Sequence, residues 1–290
     1  MKLTRWILAI LLAGLCASGF AAPYAVVEGV QMPAWLERSA SLTPLLPGMA
    51  LENTDLIRTG ANARVLLRLA EGSDVKLGEN AVLKLDNMNL GQGGKLFSGS
   101  LEVLKGAFRF TTKALSKLRV RREINVSIAS VTAGIRGTDL WGKAADDKDI
   151  VCLIEGKITV NRGSDPQVVM QDPRSFYIAP KNAAPLPVAP VDAEQLRRWS
   201  LETEIAPDQG AVRKGGRWKV YVAQSKEQAE ALAVYDRLRE QGYGAEIHVT
   251  KGGAGIDYRV RIAGLPTQAA AQALAARLAQ LGIEQPSASR

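Results

Sequence analysis

Two short runs near the carboxyl end carry residue types suited to binding. In Trp218-Lys219-Val220-Tyr221-Val222-Ala223 two valines alternate with Lys219, Tyr221 and Ala223; in Tyr258-Arg259-Val260-Arg261-Ile262 two apolar residues alternate with two arginines. A period of two marks strands with one buried face, so Lys219, Tyr221, Ala223, Arg259 and Arg261 are expected on the uncovered side. Side by side, such strands would set a phenol between two guanidiniums. A phenol face packs against sugar C–H groups, and guanidinium forks donate to hydroxyls, acetamide carbonyls and carboxylates. The same pattern fits an ordinary solvated sheet face covered by arginine stems. The residues alone leave both readings open.

Other clusters point less far. Lys105, Arg109, Lys113, Lys117, Arg119, Arg121 and Arg122 form a basic run without an acid; such density could meet an anionic polymer, but charge runs are usually solvated loop and strand edge. Asp146, Asp147 and Asp149 lack calcium-loop spacing and read as a hairpin tip. Gly91-Gln92-Gly93-Gly94-Lys95 resembles a phosphate loop only in part, with Asn89 where the first glycine belongs and Leu96 where Ser or Thr is needed. The single histidine, His248, argues against a histidine-built metal centre or a Ser-His-Asp triad and reads as structural. No cofactor or metal site is expected. Glu155, Glu102 and Asp139 offer a carboxylate for acid–base chemistry, though none sits in a recognisable motif. The expectation is a binding protein, not an enzyme.

The 290 residues hold 37 Lys+Arg against 29 Asp+Glu, a formal charge of +8, and are 47% apolar. That supports about two domains with real cores and excludes wholesale disorder, collagen and a polytopic membrane protein. A basic start (Lys2, Arg5), an apolar run from Trp6 to Leu15 and small residues up to Ala21-Ala22 form the pattern of a cleaved secretory signal over residues 1–22. A retained anchor is the less favoured alternative, because the run is short of the about 20 residues that a span needs. The mature chain is expected to be periplasmic, which makes nucleic acid a poor partner. Cys152, in the strand-like run Ile150–Ile154, reads as a buried small hydrophobe.

The elements that must position these residues divide the chain. Residues 23–190 show short alternating strands cut by glycine turns, an all-β domain of solenoid or sandwich type, ending in a proline-rich wrap at Pro180, Pro185, Pro187 and Pro190. Residues 191–216 read as a short helix capped by Asp192, then a linker with a flexible joint at Lys214-Gly215-Gly216. Residues 217–290 read β-α-β-β-α-β, with helices ending at Gly242 and Gly282 and a last short strand near Ile283 to Pro286. This is an α+β, ferredoxin-like plan with two helices on one face of a four-stranded sheet and the other face open.

On Trp218–Ala223, the helix ending at Gly242 and Tyr258-Arg259-Val260-Arg261-Ile262-Ala263-Gly264-Leu265, the C-terminal region resembles the SPOR domain. Ala263, Gly264 and Leu265 stand where Gly, Pro and Phe are usual, Tyr221 replaces the usual glutamine and Gln224 the usual serine. The resemblance implies binding to peptidoglycan glycan strands stripped of stem peptides, at sites of wall remodelling and cell division, through Lys219, Tyr221, Gln224, Arg259 and Arg261. On Gly48–Leu51, Asp55–Gly60, Gly72-Ser73 with Val75–Gly78, Gly134-Ile135-Arg136-Gly137-Thr138-Asp139-Leu140 and Glu155-Gly156, the N-terminal region resembles the FecR-type domain of periplasmic regulators. It implies a second surface for a periplasmic protein partner. Sigma-factor control is not implied, because the chain opens with a signal-like segment where those regulators carry a cytoplasmic one. The alternatives are a cell-wall hydrolase of the lytic transglycosylase type, using Glu155, Glu102 or Asp139, and a signalling adaptor binding protein instead of glycan. An RNA binder of the same sheet topology is disfavoured by export and by the absence of paired aromatics on the two strands.

Overall fold

A computed structural model describes residues 23–91, 96–112, 121–135, 137–252, 255–283 and 286–290. The expected signal segment, Gln92–Lys95, Lys113, Lys117, Arg119 and Arg136 lie outside them.

The N-terminal half is two layers of strands around one core. The 16-residue strand Leu96–Thr111 belongs to both layers. Its first part pairs with Val82–Leu90 and, in parallel, with Arg121–Ile128; its last part pairs with Asp74–Leu77 and Asp139–Ala144. The switch falls at Gly106, whose φ is +81° and where a Cβ would stand 2.6 Å from the Ala81 backbone. Only glycine meets both demands. Phe97, Leu101, Phe108 and Phe110 from this strand fill the space between the layers with Leu67, Val126 and Leu153.

The run Ile150–Ile154 shows why an apolar stretch loses its alternation. Val151 and Leu153 face the main core, while Ile150 and Cys152 face a second cluster with Trp141 and Val191 on the outside of the same layer. Helix α1 (Ala193–Thr203), N-capped by Asp192 accepting from the Gln195 N–H, closes that cluster. Trp199 stacks on Trp141 with centroids 4.8 Å apart, and Phe176 meets Trp199 edge-on. Lys143 reaches Glu202 at 2.8 Å. Residues 191–216, expected as helix and linker, are therefore knitted into the β domain, and Ala211–Arg213 pairs with Gly29–Gln31 of its first strand.

Burial pushes the Cys152 thiol from 9.0 up to about 12, with Asp139 adding to the rise and Arg109 opposing it. The folded state then keeps a proton that the unfolded chain gives up. This contribution to stability is whole below about pH 9 and is lost as pH rises through about 12, by up to about 1.4 kcal/mol per unit traversed. A maleimide or disulfide reagent is expected to leave Cys152 unmodified at pH 8 until denaturant is added. The alkaline loss of stability is expected to flatten in Cys152→Ala; rapid native labelling would contradict both.

In the C-terminal half, strands numbered within this domain are β1 (Trp218–Ser225), β2 (Glu246–Gly252), β3 (Gly255–Leu265) and β4 (Ser287–Ser289). Helices α2 (Gln228–Glu240) and α3 (Gln268–Gln280) follow β1 and β3. The sheet order is β2-β3-β1-β4, all antiparallel. Thr267 caps α3 by accepting from the Ala270 N–H. The last strand, expected near Ile283–Pro286, lies a few residues on. Val220, Val222, Val260 and Ile262 are buried in a core with Ala231, Leu238, Leu274 and Leu278 of the helices.

The halves meet across a seam. The Ala34 N–H donates to Gly242 O at 3.1 Å, Trp35 Nε1 to Glu240 O at 3.3 Å, and Arg277 to Met32 O at 2.8 Å and Gln209 O at 2.6 Å. Burial lowers the Arg277 pKa and Tyr243 opposes this; both carbonyl contacts compensate its lost hydration.

Candidate functional site

The face of the C-terminal sheet turned away from α2 and α3 is ordered in rows by the strand register. One row runs Glu246, Arg261, Tyr221, Ser287; the next His248, Arg259, Gln224; a third Ala263, Lys219, Ser289. Lys219, Tyr221, Gln224, Arg259 and Arg261 thus come together on one face. Strict alternation would turn Gln224 inward and Ala223 outward. A bulge between Tyr221 and Ala223 reverses this. Val222 and Ala223 together oppose Val260, so Ala223 packs against the core and Gln224 rejoins the face beside Arg259. The expectation of Ala223 on the open side is corrected by that one extra residue.

Two features of the face were not anticipated. Glu246, on the neighbouring strand, accepts from Arg261 Nε at 2.7 Å. Burial lowers the Arg261 pKa, but the Glu246 carboxylate and the Tyr221 hydroxyl raise it by more, so the guanidinium is charged at every working pH. Arg259 Nε is buried and has no hydrogen-bond partner, leaving a donor fixed among polar neighbours. The lone histidine stands exposed next to Arg259 in the row, not in the core. Alternating hydropathy cannot reveal Glu246: only the β2–β3 register pairs it with Arg261. Lys219 Nζ donates to Arg290 O at 3.4 Å.

Several of the remaining candidates are held in ion pairs within the β domain, whereas Glu155 and Lys105 stand exposed. Arg109 holds Asp139 through two bonds of 2.8 and 2.6 Å, joined by the Thr111 hydroxyl. Arg122 pairs with the buried Glu71 and Arg121 with Glu123. Asp149 is not a hairpin tip: it is fully buried and accepts from the Ser130 N–H and hydroxyl and from Lys181 at 2.6 Å. No group of three metal-ligating side chains occurs among the described residues, and no helix among them is long and apolar enough to cross a membrane.

The described residues thus form a β domain joined to a smaller α+β one. The SPOR domain family matches residues 214–288 and the FecR protein family residues 55–159, so the chain is a FecR domain fused to a C-terminal SPOR domain. SPOR domains bind peptidoglycan and occur in cell-envelope proteins; neither domain type is catalytic. No curated protein matches the chain. Two crystal structures of a candidate anti-sigma factor from Parabacteroides distasonis, at 2.50 and 1.65 Å resolution, are similar at 16% identity and a TM-score of 0.40, over 65% of this chain and 75% of theirs.

Proposed function

We propose that this is an exported periplasmic protein that adsorbs to peptidoglycan glycan strands lacking stem peptides, through the open sheet face of a ferredoxin-like C-terminal domain. Lys219, Tyr221, Gln224, Arg259 and Arg261 make the contacts: the Tyr221 ring meets sugar C–H faces, Gln224 pairs with hydroxyls or acetamides, and the cations meet lactyl carboxylates, which are exposed once the stem peptides are gone. The FecR domain offers a second surface to a periplasmic protein. The observation that carries this reading is the single polar face holding all five side chains. The mature chain (residues 23–290) is expected to co-sediment several-fold more with amidase-treated wall sacculi than with intact ones. Equal sedimentation would sink the reading.

A further inference from the structure

The polar face runs on beyond the edge of its own domain. Next to Glu246 and Ala263, two members of its rows, lies a cleft of about 270 Å³ also lined by Leu46 and Pro47 of the β domain and by Lys214. The two walls are brought together by the close approach of Leu46 to Gly244, and the two halves are joined by the seam bonds of Ala34, Trp35 and Arg277. Lys214 is exposed, and no hydrogen bond or ion pair is described for it. The cleft falls just below the about 300–1,000 Å³ typical of ligand pockets, a size that suits one sugar ring and no more. Its chemistry also fits one: the Leu46 and Pro47 surface for C–H groups, the Glu246 carboxylate to accept from a hydroxyl or acetamide N–H, and the Lys214 ammonium to meet a lactyl carboxylate.

We infer that a peptide-free glycan strand lying on the SPOR sheet continues into this cleft, so that the binding site is shared by both domains and reads a longer stretch of polymer than the sheet alone. This rests on the glycan reading of the sheet. A ring held in the cleft adds its contacts to a strand already anchored, so length should be read as affinity. The mature chain is to be titrated with purified peptide-free oligosaccharides of one and of about four disaccharide units. The unaltered protein is expected to favour the longer one by about tenfold or more. Lys214→Glu, at an exposed position, is expected to reduce that preference to about twofold while leaving disaccharide affinity as it was. A preference that survives Lys214→Glu, or that is absent from the unaltered protein, overturns the inference and leaves the sheet reading standing. Undiminished binding in Tyr221→Ala/Arg261→Ala overturns the sheet reading itself.

Discussion

The double variant Arg259→Ala/Arg261→Ala is expected to lose nearly all affinity for amidase-treated sacculi while keeping its fold. Each guanidinium that donates to a carboxylate or carbonyl contributes about 1.5–3 kcal/mol, so removing one costs about 10- to 150-fold and removing both more. Neither arginine carries the core: Val260 and Ile262, on the opposite side of the strand, do. The two positions should not behave alike. Arg261 already gives its Nε proton to Glu246, whereas Arg259 has an unpartnered buried Nε, so Arg259→Ala relieves an orphaned polar atom while Arg261→Ala breaks a pair. Arg259→Ala is therefore expected to cost the fold less than Arg261→Ala. Isothermal titration with peptide-free glycan, alongside urea unfolding, checks both. Binding that falls less than threefold in the double variant would show that the ligand lies elsewhere.

Arg38→Ala is expected to destabilise the β domain by about 3–5 kcal/mol, the usual penalty for leaving a buried ionised partner alone. The Asp55 side chain is fully buried, and Arg38 binds it through Nε at 2.7 Å and Nη2 at 2.6 Å. Asp55 also accepts from the Glu52 N–H at 2.7 Å, which closes the turn leading into the Leu56–Thr59 strand. Removing Asp55 instead leaves Arg38, which is 35% exposed and still has Glu52 within 2.8 Å, so Asp55→Ala should cost less. Arg58→Ala, which breaks the more exposed pair with Glu37, is the contrast, expected at about 1 kcal/mol or less. Urea midpoints at pH 7 separate these outcomes.

Local patterning made the two architectures readable, since alternation at Val65–Leu69 and at Arg259–Ile262 and capping at Asp192 and Thr267 are set by neighbours in the chain. The site was partly readable for the same reason. Tyr221, Arg259 and Arg261 stand on the open side because their apolar neighbours are pulled under the helices. What local pattern cannot carry is register. The bulge at Val222-Ala223, the Glu246–Arg261 pair and the shared strand switching layers at Gly106 depend on which residue of one strand meets which of another. The same holds for residues 191–216. Their proline and glycine content looks like tether, but Trp199 finds Trp141 nearly sixty positions back, and a single aromatic stack over a covered strand outweighs composition.

Gly244 extends this beyond the single chain. Its backbone is ordinary, unlike that of Gly242 with φ at +79°, which the end of α2 requires. Its bareness therefore answers to one thing, the Leu46 methyl group that would lie 2.0 Å from a Cβ there. A side chain at that place would make the Leu46 tip turn aside or the two halves part. A protein engineer exchanging either half would therefore have to choose positions 46 and 244 together, not one at a time.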